Sequence, residues 1–339
     1  MSLLPLAAFP LAGLAALAGT PLAVRLAWAT GWLDHPEARK LHTSATALLG
    51  GVTVAASALL AWAVAMPLLP HSDANGETWG LLAGAAVALV LGLVDDRHGM
   101  RPSIKLVGQA ASAGILLACG AVPHIGLPPG LAGALAFLAI IALMNAVNFL
   151  DNMNGMVGGL APIALLGFAW TSLARGANGV AAAQLALAGA CLGFLPHNFP
   201  RARIFLGDAG SLLLGYSLGA SALLAMGAAP QGWGQLGPGL VLGYPAFDLL
   251  FVVVTRLRDG RPIYQGGTDH TNHRLATLMG RRAGTVGLLW LTGAALCASG
   301  LAVLRLDRPG PALALAGAWA LAMLAAGLRL AAVPVARAR

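Results

Sequence analysis

The chain has 339 residues, 58% hydrophobic and 9% charged; soluble domains carry roughly 25% charged residues, so a water-soluble globular protein is excluded. The net charge of +8 could point to nucleic acid, but the basic residues sit in short segments between apolar runs, a placement that reflects membrane topology. The three cysteines, Cys119, Cys191 and Cys297, lie inside apolar runs without paired spacing, which excludes a disulfide framework and a cysteine metal site.

Charge-free runs near the length that crosses a bilayer as a helix recur along the whole sequence. They predict an all-α polytopic membrane protein, residues 1–339 forming one integral-membrane domain of about eleven spans. The spans fall at 4–24, 46–69, 79–94, 106–122, 130–149, 156–174, 179–196, 209–229, 236–255, 283–304 and 309–328. The first lacks the basic start of a cleaved signal peptide and reads as a true span. With the N-terminus outside and the C-terminus cytoplasmic, seventeen of the twenty Lys and Arg lie on the inner side, leaving Arg175, Arg305 and Arg308 outside. That asymmetry satisfies the positive-inside rule.

Taken in order, the first inner loop carries Arg39-Lys40-Leu41-His42 ahead of Gly50-Gly51, while the outer loop 70–78 is a short polar connection. Span three ends in Asp95-Asp96, followed by Gly99, Pro102 and Lys105. On a helix the two adjacent carboxylates point about 100° apart and so address different partners. Span five ends in Asn145, Asn148, Asp151 and Asn154, spaced every third residue, a polar stripe with little reason to exist unless something polar docks there. Span seven exits into Asn198 and two arginines, then Phe205-Leu206-Gly207-Asp208-Ala209-Gly210-Ser211 at the start of span eight. Glycines there allow a ligand close to the backbone, and the helix start offers free N–H groups; an Asp there can equally be an N-cap.

Asp248 lies inside span nine, where an acid pairs with a partner or does chemistry. The long inner loop 256–282 holds Asp269-His270-Thr271-Asn272-His273-Arg274-Leu275, with two imidazoles at i and i+3. No Cys or Glu-x-x-His pattern accompanies them, which argues against zinc. Spans ten and eleven read as scaffold. Nine of the twelve carboxylates fall on the inner side, so the polar residues gather at one surface. A secondary transporter would place them near the midplane in two broken helices. The one-sided arrangement favours an enzyme that works on something cytosolic while holding something lipidic.

These segments together resemble the polyprenyl-phosphate N-acetylhexosamine-1-phosphate transferases, over nearly the whole chain and in the same order. The Asp-His-x-x-His-Arg-Leu form is more similar to the O-antigen and teichoic-acid branch than to the muramoyl-pentapeptide branch. The resemblance implies transfer of a sugar-1-phosphate from a UDP-sugar to undecaprenyl phosphate, releasing UMP, at a bacterial inner membrane. It implies Mg2+, with Mn2+ as an alternative, held by Asp208 with Asp151 as a second candidate, because such ions take one or two carboxylates plus substrate phosphates. It also implies that Asp95 and Asp96 orient or deprotonate the lipid phosphate and support the metal, and that Lys105 neutralises phosphate. Asp151, His270 and His273 complete the catalytic set. Asn145, Asn148, Asn154, Asn198, Phe205, Gly207 and Arg274 are implied as substrate contacts, Phe205 stacking on uracil. The active site would be built from 95–105, 145–156, 197–211 and 256–282, and a homodimer is compatible. The alternatives are a catalytically weak member with a binding role, or a carrier of lipid phosphate or nucleotide sugar.

Three positions depart from the family pattern. Asp151-Asn152-Met153-Asn154-Gly155 stands where Asp-Gly-x-Asp-Gly is common, so the second acid is an amide that can hydrogen bond but carries no charge. Asn152 replaces a glycine, a change that left-handed geometry tolerates. Ala45 and Ala47 replace prolines before Gly50-Gly51.

Overall fold

The computed structural model describes residues 4–36, 44–69, 75–123, 125–228, 232–263 and 267–334. Arg39, Lys40 and His42, singled out in the first inner loop, lie outside them, as does part of the 70–78 connection. Every expected span is helical, and the protein is a polytopic membrane protein. The helices are α1 (Ala8–Thr30), α2 (Gly50–Ala65), α3 (Gly76–His98), α4 (Pro102–Ala118), α5 (Pro129–Leu150), α6 (Met156–Ala174), α7 (Asn178–Asn198) and α8 (Gly207–Ala228). They are followed by α9 (Gly237–Val241), α10 (Gly243–Arg258), α11 (Thr271–Met279), α12 (Arg282–Leu306) and α13 (Pro309–Ala331). A two-residue antiparallel pair, β1 (Leu33–Asp34) with β2 (Thr46–Ala47), ties the α1–α2 connection together.

Among the described residues, nine helices are long and apolar enough to cross a membrane. The other two expected spans differ. The fourth, α4, is an apolar helix of only 17 residues. The ninth, expected as one helix over 236–255, is broken: α10 turns 72° away from the segment that ends in α9. Pro245 supplies the reason, since its ring lacks the N–H of a continuous helix and collides with the carbonyl four residues earlier, that of Val241 where α9 stops.

At the centre stands α8, 94% buried over its apolar window, packed by α2, α3, α5 and α6. At the other extreme, α13 is 6% buried over its window. Close approach of α3 to the start of α8 depends on Gly92, where a Cβ would come within 2.2 Å of the Asp208 carbonyl oxygen. Gly51 does the same for α2, its virtual Cβ falling 2.2 Å from the Gly210 nitrogen. Two further backbone bonds, from Gly50 N–H to the Phe205 carbonyl (3.0 Å) and from Gly51 N–H to the Leu206 carbonyl (2.8 Å), complete this junction. The start of α8 is thereby held from two sides before any functional side chain is placed.

Gly92→Ala should therefore cost about 1–3 kcal/mol and lower the melting temperature of the detergent-solubilised protein. Gly114→Ala on α4, with nothing within 4 Å of the new methyl, should leave it unchanged or raise it. Equal melting temperatures for the two variants would refute this account of the α3–α8 contact.

Candidate active site

The end of α3, the start of α4, the end of α5 and the start of α8 converge at one end of the bundle. Because Gly92 and Asp96 lie one turn apart on α3, the face that touches the start of α8 also delivers the Asp96 carboxylate there. Its Oδ1 accepts the Asp208 N–H at 2.8 Å and its Oδ2 the Ala209 N–H at 3.0 Å. Two otherwise orphaned donors of the helix are satisfied. Gly207, in the left-handed region at φ 73°, makes the turn that this approach requires; a side chain there would meet Asp96.

With its helix capped by another residue, Asp208 presents its own carboxylate to the site. The Lys105 ammonium bridges Asp208 Oδ2 and Asp95 Oδ2, each at 2.6 Å. Asn148 Nδ2 donates to Asp208 Oδ1 at 2.6 Å and to Ser211 Oγ at 2.8 Å, and Asn148 Oδ1 accepts from Lys105 at 3.3 Å. Asp95 Oδ1 accepts the Met100 N–H at 2.6 Å, closing the turn between α3 and α4. Four helices thus supply two carboxylates, one ammonium and one amide to a single cluster. Asp208 is half-buried, and each of its oxygens keeps a lone pair beyond these contacts.

The polar stripe divides at the end of α5, which runs only to Leu150. Asn145 exchanges hydrogen bonds with Gln109 of α4, donating at 2.7 Å and accepting at 3.2 Å. Asp151 forms the C-terminal cap of α5, where burial first and the charge of Asp208 second push its carboxyl up to about 7. The following turn is tied to the segment after α7. Asn198 accepts the Gly155 N–H at 2.7 Å and donates to the Ile204 carbonyl at 2.9 Å, and Asn154 donates to the Pro200 carbonyl at 3.1 Å. Phe205 is half-buried, its N–H bonded to the Ala47 carbonyl at 2.8 Å.

The 72° break directs α10 toward the loop before α11. Asp248 accepts the backbone N–H and the hydroxyl of Thr271 on Oδ1, at 2.8 and 2.5 Å, and pairs through Oδ2 with His270 Nδ1 at 2.7 Å. A carboxylate only accepts, so Nδ1 carries the proton and the His270 ring is fixed in orientation and tautomer. The His273 ring lies 6.5 Å from it; burial above all, with the Arg282 charge adding to it, pushes that imidazole down to about 4, leaving it neutral at physiological pH. Burial raises Asp269, but its bidentate pair with Arg256, both contacts 2.8 Å, more than offsets this and holds the carboxyl at about 2.

Comparison with known proteins places this arrangement. Residues 78–226 match the family model described as glycosyl transferase family 4. The chain is 33% identical over 322 residues to the decaprenyl-phosphate N-acetylglucosaminephosphotransferase of Mycolicibacterium smegmatis, covering 81% of this chain and 79% of that protein. The chain belongs to glycosyl transferase family 4, among the polyprenyl-phosphate N-acetylhexosamine-1-phosphate transferases. It is also 33% identical over 302 residues to the decaprenyl-phosphate N-acetylglucosaminephosphotransferase of Mycobacterium tuberculosis, covering 78% of this chain and 74% of that one. The phospho-N-acetylmuramoyl-pentapeptide-transferase of Desulforudis audaxviator is 30% identical over 320 residues, with 84% and 92% covered.

In this family 4 transferase, Asp95, Lys105, Asn148 and Asp208 meet in one cluster, and His270 is presented by Asp248. Other expected site residues face elsewhere. Asp96 accepts an N–H of the first turn of α8 on each of its oxygens. Asn145 is committed to Gln109, and Asn198, almost fully buried, is committed to backbone at both ends of its amide. Arg274 is buried and donates to the Asp269, Leu330, Ala331 and Val333 carbonyls, so it caps the end of α13. Asn152 is not left-handed; Gly155 takes that geometry, at φ 73°. Asn152 instead donates to the Phe149 carbonyl and accepts from Asn272 at 2.7 Å, joining the α5–α6 turn to α11. Sequence reading missed Gln109, whose signal was a lone amide in an apolar run, and Asn272, which had none beyond its neighbours.

Asp151→Asn tests the raised carboxyl. The wild-type group ionises near 7 in the fold and at 3.8 without it, so its protonated form favours folding and that contribution is lost as pH rises. In EDTA the variant should melt above wild type at about pH 8, the gap narrowing toward about pH 5 and closing below about pH 4. A pH-independent gap would show that Asp151 is not the group concerned.

Proposed function

We propose that the protein transfers an N-acetylhexosamine-1-phosphate from a UDP-sugar to a polyprenyl phosphate, from the cytoplasmic side of a bacterial inner membrane. The observation that carries this reading is the Asp95–Lys105–Asn148–Asp208 cluster, gathered at one end of an apolar bundle where a lipid phosphate and a water-soluble diphosphate can meet. In the reaction a phosphate oxygen of the lipid attacks the β-phosphorus of the UDP-sugar. The bond from that phosphorus to the bridging oxygen breaks, and UMP leaves with the electron pair. A phosphate monoester is largely dianionic near pH 7, so the attack does not demand a base.

Among the described residues no group of three or more His, Cys, Asp or Glu could hold a metal ion alone. Mg2+ needs fewer, because it keeps waters and shares substrate phosphates with one or two carboxylates. Asp208, with lone pairs to spare, and Asp151, close enough to feel its charge, fit that requirement, with Mn2+ as an alternative. When bound, the cation would screen the diphosphate and stabilise the charge that develops in transfer. Lys105 neutralises phosphate charge beside it. His270, oriented by Asp248, and His273 contact the diphosphate or the sugar, and Phe205 with Asn154 receives the uracil. UDP-N-acetylglucosamine is the first donor to examine, since the mycobacterial relatives carry that sugar in their names.

Purified protein given UDP-N-acetylglucosamine, undecaprenyl phosphate and Mg2+ should release UMP. Asp208→Ala should abolish turnover while leaving the melting temperature within a few degrees of wild type; near-normal turnover would sink its assignment. Asn154→Asp removes the donor to the Pro200 carbonyl and should change the KM for the nucleotide sugar more than kcat. Retained UDP-sugar binding without UMP release would instead favour the binding-only reading that the Asn154 amide raises.

A further inference from the structure

Tyr244 stands one turn before Asp248 on the buried face of α10, and both reach Thr271, the first residue of α11. The Tyr244 hydroxyl lies 3.0 Å from Thr271 Oγ1, which lies 2.5 Å from Asp248 Oδ1, and Asp248 Oδ2 lies 2.7 Å from His270 Nδ1. None of these four residues is more than 4% exposed, and Leu160, Ile163 and Leu218 line the small void beside Tyr244. Counting protons gives the chain a direction. A carboxylate only accepts, so the one hydroxyl proton of Thr271 goes to Asp248, and Thr271 Oγ1 can then only accept from Tyr244. Tyr244 therefore donates to Thr271 and Thr271 to Asp248, while the His270 Nδ1–H arrives on the other carboxylate oxygen. The Thr271 backbone N–H also lands on Oδ1, at 2.8 Å. The last torsion of an Asp side chain is broad and two-fold by itself, so these donors on Oδ1 are what aim Oδ2 at the imidazole.

We infer that Tyr244 and Thr271 are positioning residues for the transfer, a role that rests on the contact of His270 with the diphosphate or the sugar proposed above. Acting through Asp248, they fix the His270 ring so that Nε2 is the nitrogen offered to the substrate. Tyr244 is the second residue after the 72° break, so the chain of hydrogen bonds fastens the start of α10 to the start of α11. The histidine takes its bearing from both helices. A buried tyrosine far from the acidic cluster thus reaches the reaction through three hydrogen bonds in series.

The test pairs nitrogen-15 spectra of histidine-labelled protein in lipid nanodiscs with turnover of UDP-N-acetylglucosamine and undecaprenyl phosphate. The His270 signals are those lost in His270→Gln, and in the wild type Nδ1 should be protonated. Tyr244→Phe keeps the ring and removes the donor, whereas Thr271→Val keeps the shape and cuts the chain. Each should shift or split the His270 signals and lower kcat about three- to tenfold, the equivalent of one hydrogen bond. The KM for the nucleotide sugar should stay within about twofold of wild type. The double variant should lose no more than Thr271→Val alone, because both act through one chain. Thr271→Ser keeps the hydroxyl and should recover most of the loss. An unprotonated Nδ1 in the wild type, unchanged His270 signals in both variants, or losses that simply add would overturn the inference, as would Thr271→Ser turning over no better than Thr271→Val. Wild-type turnover by His270→Gln would overturn it from the other side, by removing the substrate contact it rests on; the spectra tell the two failures apart.

Discussion

At the start of α8 a carboxylate from another helix accepts two backbone N–H groups, and the rest of the transfer site follows from that contact. A helix that begins Gly-Asp-Ala-Gly would ordinarily turn the Asp side chain back onto its own first turn. Asp96 takes that position, so the Asp208 carboxylate is released to face Lys105 and Asn148. Gly92 is the steric condition for the arrangement, because only a bare Cα lets α3 come near enough to the first turn of α8. One close helix contact therefore fixes both where Asp208 sits and which way it points.

Around this charged centre the protein uses neutral amides to hold its loops. Asn198 stitches the turn after α5 to the segment after α7, and Asn152 joins the same turn to Asn272 on α11. Asn145 and Gln109 lock α4 against α5. These bonds do not change with pH or metal, whereas the acids between them do. The frame stays fixed while the charges it carries respond to what binds. The buried ion pair of Asp269 with Arg256 serves the same end beneath the two histidines, since breaking either partner would strand a charge in the interior.

Much of this was legible in the sequence, for physical reasons that also mark the limits. Apolar runs reveal spans because membrane helices must satisfy their backbone internally, and every expected span is helical, the ninth in two pieces. Motif order located the cluster of Asp95, Lys105, Asn148 and Asp208. What escaped was direction. Asp95 and Asp96 are chemically identical neighbours, and only the packing of α3 on α8 decides which caps a helix. Asn198 and Arg274 look like ligand contacts because they are polar in functional loops, yet their partners are backbone groups: Ile204 and Gly155 for one, and carbonyls some sixty residues away for the other. The break before α10 did carry a local signal in Pro245, which an apolar run of the right length conceals.

That break also changes how the molecule meets the bilayer. A straight continuation of α9 would carry residues 243–258 about 24 Å onward, but after a 72° turn α10 advances only about 7 Å along the old direction and about 23 Å across it. α9 packs against α12, and α10 leaves it as a beam set across the direction of the segment before it. Its undersides differ accordingly: Tyr244, Asp248, Val252 and Thr255 are buried, while Leu250, Val254 and Leu257 form an exposed apolar strip. Upright helices must tilt or compress when bilayer thickness changes. A helix set across the segment before it instead offers its side, and the half of the site carried by Asp248 and His270 is attached to that side.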